Sequence, residues 1–310
     1  MLNTIKTARH YIVVCSFLLM TGCDLLPTTP GVPINPEKPE WLLIEADLSY
    51  NVTWIGGLTK KTFQYDSLYR PTSVASWTKY EDSPYDNRDT LALHYNQHSQ
   101  LESAMPYSAL RHDSNIEETI RHFRYDEKGR LSWSKVDRFH IEKFYRYHKK
   151  VREIVQLRKV HDARVDTVRT LITLDSIGNI STINTESIDG REGKGLKYNY
   201  NIVFTAYDDH PTPYSALNFN DVDLLDITLY GGQASMFPIR IDHIPFLPKN
   251  NPTRLTITET QYNDQGEPTV KEKRLRYYYN YNADGLVTQK RLFISNYPEK
   301  IMDFTYKKVE

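Results

Sequence analysis

The groups able to do chemistry in this chain are its 10 histidines and its 39 aspartates and glutamates. His94 and His98 are four apart, a spacing that shares a face only on a helix. Here one lies in an alternating run and the other in the turn that follows. His112 and His122 flank a polar loop with Asp113, Glu117 and Glu118. A transition metal needs three or four converging ligands, and neither pair offers them, so no metal is expected. Carboxylates about 5–10 Å apart could cleave a glycosidic bond. Glu81-Asp82, Asp86, Asp89 and Asp208-Asp209 are the candidates, but each is more simply a turn residue. Trp41, Trp54, Trp77 and Trp133 could stack on sugar rings, although Trp in a β domain mostly serves packing. Gly190-Arg191-Glu192-Gly193-Lys194-Gly195 looks like a phosphate loop but lacks the helix whose N-terminus would hold the anion; it is expected to be a hairpin loop. No HExxH, GxSxG, Walker or GxGxxG pattern occurs. No catalytic residue and no cofactor is therefore expected.

The elements that must position these groups are strands. Leu275, Tyr277, Tyr279 and Tyr281 alternate with polar residues, as do Met302, Phe304 and Tyr306, and Ile172 and Leu174. Period two marks half-buried strands, and the runs are rich in Tyr, Thr, Val and Ile. Aromatics are 12% of the chain, including 23 Tyr, too much apolar ring for a disordered polymer. The best helical segment is short: a cap at Asn220 or Asp221, then Val222, Leu224, Leu225, Ile227 and Leu229. A buried strand fits that spacing equally well.

A recurring unit punctuates the strands. Tyr125-Asp126-Glu127-Lys128-Gly129 is the clearest copy. Leu174-Asp175-Ser176-Ile177-Gly178, Tyr262-Asn263-Asp264-Gln265-Gly266 and Tyr281-Asn282-Ala283-Asp284-Gly285 repeat it. Tyr65-Asp66-Ser67-Leu68-Tyr69 and Tyr95-Asn96-Gln97-His98-Ser99 are degenerate copies. Asp or Asn opens the turn because its side chain accepts a backbone N–H two residues on. Gly three residues later suits the left-handed position that follows. The Tyr ring is expected to pack on the sheet with its hydroxyl in water. The fold expected is all-β: an antiparallel up-and-down meander, curled or barrel-like, with a short helix or irregular insertion near 212–250. A membrane-spanning barrel ranks last, because Arg274, Arg276, Lys143, Arg146, Lys149 and Lys150 interrupt any apolar outer face.

The N-terminus carries an address. Lys6, Arg9 and His10 precede an apolar run from Tyr11 to Met20, too short to span a bilayer, and then Thr21-Gly22-Cys23. This is the layout of a secretory signal, and Leu19-Met20-Thr21-Gly22-Cys23 resembles the bacterial lipobox. The resemblance implies removal of residues 1–22 and lipidation of Cys23. Cys15 and Cys23 are the only two cysteines, so the folded part has no thiol for disulfides, catalysis or zinc. Residues 23–42, with Pro27, Pro30, Pro33, Pro36 and Pro39, are expected to form an extended tether of about 3 Å per residue. A single domain is expected over 43–310.

The turns resemble the YD repeat of bacterial surface and toxin-shell proteins. The combination of lipobox, proline-containing tether, YD-like turns and Tyr207-Asp208-Asp209-His210-Pro211-Thr212-Pro213-Tyr214 resembles a family of exported Bacteroidetes-type lipoproteins, domain of unknown function 4595. That family carries no established active site to transfer. Balanced charge, 39 Lys+Arg against 39 Asp+Glu, argues against nucleic acid as a partner. The expected partners are a membrane through the N-terminal lipid, and an envelope protein or glycan. The expected place is the cell envelope, at the outer membrane on its periplasmic or surface face. The reading is a non-catalytic binding or structural module; the alternative is an envelope glycan hydrolase using paired carboxylates. Function is expected in what interrupts the repeat, 207–251, with Asp209 and His210 as ligand candidates, or else that segment plugs or caps the open end of the sheet.

Overall fold

The computed structural model describes residues 38–50, 57–80, 86–106, 116–138, 140–160, 164–188, 196–217, 249–263, 265–294 and 297–310. The signal segment, Cys23 and the tether up to residue 37 lie outside them, as do the predicted helix after Asp221, the Gly-rich loop 190–195, His112, Glu81, Asp82 and Trp54.

The described chain is all-β. Its strands are β1 (Trp41–Tyr50), β2 (Gly57–Tyr65), β3 (Pro71–Tyr80), β4 (Asp86–Tyr95), β5 (Leu101–Pro106), β6 (Arg121–Tyr125), β7 (Leu131–Val136) and β8 (Ile141–His148). They continue as β9 (Val151–Val160), β10 (Arg164–Leu174), β11 (Ile180–Ile188), β12 (Leu196–Pro211), β13 (Asn250–Tyr262), β14 (Pro268–Tyr281), β15 (Val287–Ile294) and β16 (Tyr297–Lys308). Each strand pairs with its sequence neighbours, and β1 pairs with β16, closing the barrel. The seam runs antiparallel from Trp41 opposite Lys308 to Tyr50 opposite Lys300. Closure leaves no sheet edge for another chain to extend along most of the wall.

Alternation decides which face each residue serves. Along β16, Met302 and Phe304 are buried while Asp303, Thr305 and Lys307 are exposed. Along β14, Leu275 and Tyr277 are buried while Arg274, Arg276 and Tyr278 are exposed. The buried rows of successive strands meet inside the barrel in two apolar clusters. One gathers Leu43, Phe63, Leu91, Leu131 and Phe304; the other Ile172, Ile183, Ile202, Leu255 and Leu275. Lys61, Arg121, Lys143 and Lys290 share the inward rows and are at most 8% exposed. Lys143, named from sequence as an outer-face charge, is therefore an interior one: it lies opposite Ser134 and between the buried Ile141 and Tyr145.

A short 3₁₀ helix, Pro213–Leu217, follows β12 within the insertion expected near 212–250. It turns into the core: Tyr214 and Leu217 are 2% and 0% exposed, and the Tyr214 ring meets Phe304 edge-on at 5.6 Å. The described start of the interruption thus fills the barrel rather than capping it from outside.

Candidate functional site

An up-and-down barrel has two ends. The connections from even to odd strands all lie at one end, and those from odd to even strands at the other. The repeated unit belongs mostly to the first, where it joins β2 to β3, β4 to β5, β6 to β7, β10 to β11 and β14 to β15. The copy at Asn263 joins β13 to β14 and so lies at the opposite end.

The six turns share one hydrogen-bond pattern. In each, a side-chain Oδ1 accepts the N–H two residues on and the N–H four residues on. Asp66 receives Leu68 and Arg70, Asn96 His98 and Gln100, Asp126 Lys128 and Arg130. Asp175 receives Ile177 and Asn179, Asn263 Gln265 and Glu267, Asn282 Asp284 and Leu286. The residue between these two donors has positive φ: 73° at Gly129, 96° at Gly178, 81° at Gly266, 76° at Gly285, and also 59° at Tyr69 and 60° at Ser99.

Burial works against the charge of Asp66, yet the Arg70 side chain and the N–H groups of Arg70 and Leu68 outweigh it and hold the carboxyl below its usual range. Asp126 is held down in the same way, against its own burial, by Arg130 and Lys128. Turn carboxylates gripped this way are charged structural clasps and have no proton to exchange near neutral pH.

The tyrosines correct one expectation. At Tyr65, Tyr95 and Tyr125 the hydroxyl is not left to water but donates to a main-chain carbonyl on the neighbouring strand, a bond that tyrosines outside the unit share. Tyr65 bonds Leu43 O at 2.6 Å, Tyr95 Pro71 O at 2.7 Å, Tyr125 Leu101 O at 3.0 Å and Tyr207 Ile180 O at 2.5 Å. Tyr279 and Tyr306 do the same with Pro252 and Val287. The ring needs burial, and a buried hydroxyl needs an acceptor; an unpaired carbonyl on the adjacent strand is within reach. Burial pushes the phenols of Tyr65, Tyr95, Tyr207, Tyr279 and Tyr306 well above their ordinary range.

Tyr207-Asp208 opens a seventh turn of this kind, split in two. Asp208 Oδ1 accepts the His210 N–H at 3.0 Å, two residues on, as in every other copy. Its second donor is the N–H of Asn251 at 3.2 Å, 43 positions away. The excursion between them has been inserted into the turn without opening it. Asn251, 1% exposed, holds both mouths together by donating its side-chain amide to His210 O and Pro211 O, each at 3.2 Å. Tyr281 donates to the other oxygen of Asp208. The His210 ring stacks on Tyr281 at 4.1 Å, where Arg70 lies over Tyr95 and Arg130 over Tyr147 in the contiguous copies. Its Nδ1 is 2.9 Å from Asp209 Oδ1, an ion-pair distance without hydrogen-bond geometry.

The two ligand candidates therefore part. His210 is a stacked member of the turn, whereas the Asp209 side chain, beside it, is 93% exposed. Sequence reasoning missed Asp208 and Asn251 as a pair; the signal was Tyr-Asp at 207 with no Gly three residues on. His94 and His122 are exposed on the outer rows of β4 and β6, and His98 is exposed in its turn. No group of three or more metal-ligating side chains occurs among the described residues.

The outer wall is charged. On β8–β10, Glu153 lies between Arg146 and Arg169, the latter at 2.6 Å, and despite its burial these arginines hold it below the usual carboxylate range. Trp133 donates to Glu142 at 2.6 Å and lies under Arg124. On β1 and β16, Asp47 faces Asp303 directly, with Glu45 and Lys60 alongside. On β13–β15 arginines dominate.

No family model matches the chain, and no curated protein does. Among solved structures it is similar to a porin-like protein from Bacteroides vulgatus ATCC 8482, at 10% identity over 86% of this chain and 99% of that one, with a TM-score of 0.46. A porin-like protein from Bacteroides uniformis ATCC 8492 is similar at 11% identity over 86% and 98%, with a TM-score of 0.38.

Proposed function

We propose that this chain is a lipid-anchored protein of the bacterial envelope whose barrel stands in water and acts as a non-catalytic binding or structural module. The observation that carries the reading is the sorting of faces: the inward rows are mainly apolar, with Lys61, Arg121, Lys143 and Lys290 among them, and the exposed charges point outward. A bilayer-spanning barrel requires the reverse, an outward apolar band about 25 Å tall. Exposed Arg276 on β14, Arg291 on β15 and Asp303 on β16 occupy the wall where such a band would lie. Attachment then falls to the N-terminus, where Thr21-Gly22-Cys23 supplies an acylation site. The tether joins the barrel at the start of β1, which is the turn end.

Fractionation of cells carrying Cys23→Ser tests this. Wild type should sediment with membranes and require detergent, because acyl chains bind at about 0.8 kcal/mol per buried CH₂. The variant should be released by salt or mild sonication. A variant that has lost residues 1–22 and still needs detergent would mean the barrel itself contacts lipid, and the reading would fall. The glycan-hydrolase alternative has one supporting feature, the raised carboxyl of Asp47 opposite Asp303. It requires glycan turnover by the wild type that Asp47→Asn abolishes.

A further inference from the structure

We infer that the outer wall of β13–β15 is a docking surface for an acidic polysaccharide, an inference that deepens the proposed reading of the barrel as a binding module and rests on it. Arg254 on β13 lies directly opposite Arg276 on β14, and Arg276 lies opposite Phe293 on β15. One row along, Tyr278 is opposite Arg291. All these arginines are exposed, and Tyr278 is 53% exposed. Like charges directly opposite on a sheet destabilise it, so folding gives no reason for the pair. The neighbouring Arg274 is offset by Glu272 at 3.0 Å, and Arg291 donates to the neutral Gln289 at 2.6 Å. Arg254 and Arg276, with Arg291 one row along, thus form a positive patch that spans three strands.

Its shape selects the partner. Side chains on a convex wall diverge, so they cannot enclose one small anion. They match charges spread along an extended polymer. Guanidinium groups pair carboxylates through two parallel N–H bonds and stay charged at any physiological pH. Tyr278 supplies what a bare ionic strip lacks. Its ring packs against Phe293 at 5.0 Å and 75° and still keeps about half its surface exposed. A flat aromatic face beside cationic groups suits a sugar ring that bears a carboxylate.

The test uses the full-length detergent-extracted protein, with alginate oligomers as the acidic probe, dextran as the neutral one and phosphatidylglycerol vesicles as the lipid one. Wild type should bind alginate, more weakly as salt rises, and ignore dextran. The triple variant Arg254→Ser/Arg276→Ser/Arg291→Ser should bind alginate at least about tenfold more weakly, since each fork removed takes a charge-assisted bond with it. Tyr278→Ser should weaken binding with no change of charge. Lys149→Ser/Lys150→Ser, which removes two exposed charges in the β8–β9 turn, well round the wall from the strip, should change nothing. Unchanged thermal unfolding of the variants separates lost binding from lost folding. Equal loss in both sets, no alginate binding, or patch-dependent binding of the vesicles alone would each overturn the inference. Membrane fractionation of the same variants reads the anchor separately: a failed patch on a protein that still sediments leaves the anchored-barrel reading standing.

Discussion

At the scale of single residues, the turns make the sharpest statements. The fifth residue of the unit needs positive φ, which costs a residue with a Cβ about 1–2 kcal/mol. Gly178 has open space around it, with nothing within 4 Å of the point where a Cβ would sit. Gly178→Val should therefore lower stability by about 1–2 kcal/mol through backbone strain alone. Ser99, at φ 60°, offers the converse: Ser99→Gly should stabilise by up to about 1 kcal/mol. Denaturant titration reads both. Asp47 gives a pH-dependent outcome. Burial raises its carboxyl, Lys60 opposes that, and Glu45 and Asp303 add to it. An acid raised in the folded state costs stability when ionised, and the cost vanishes once pH falls below its unfolded value of 3.8. Asp47→Asn should thus raise Tm at neutral pH and make no difference in strong acid. Equal gains at both would place the effect elsewhere.

At the scale of elements, the split turn and the inward 3₁₀ helix define what the interruption does for the fold. Leu217 is fully buried among the core residues of the barrel. Leu217→Ala should cost about 2–5 kcal/mol, far more than a surface cap could. Asn251→Ala removes both bonds across the mouth of the insertion and should cost about 1–3 kcal/mol, since two carbonyls lose their donor. Asp209→Ala should leave unfolding unchanged, while His210→Ala loses a ring stack. Measuring all four by thermal unfolding separates the plug from the exposed residue beside it. Much of this element was legible. Tyr125, Asp126 and Gly129 specify a reversal by residue type alone, and alternation through Tyr277, Tyr279 and Tyr281 specifies which row faces inward. What could not be read was a turn whose two donors, His210 and Asn251, are 41 positions apart, because local spacing carries no sign of a partner supplied from beyond an insertion. The tyrosine hydroxyls escaped for a related reason. Their acceptors are carbonyls on another strand, and a main-chain carbonyl has no signature in sequence.

At the scale of the whole molecule, closure was the open question. Period-two runs and tight turns require a meander, but whether it curls shut depends on β1 meeting β16. That contact joins Trp41 to Lys308, and nothing in either strand announces it. The arginine strip is a second whole-molecule property. Arg254, Arg276 and Arg291 come from three strands, and only their register makes them neighbours. Sequence showed Arg276 as a reason against a bilayer wall; the register shows it as a neighbour of the other two.

The seam between β1 and β16 has a consequence for how the chain acquires its structure. Every other strand pair joins sequence neighbours, so hairpins can zip locally with little loop-closure entropy. The seam is the one pairing that must wait for nearly the whole chain. Until residue 297 and beyond are available, β1 presents an unpaired edge, the kind of surface through which partly folded chains associate. A kinetic intermediate with the hairpins formed and the β1 edge open is the expected slow species, and its lifetime sets how exposed the newly made chain is to aggregation.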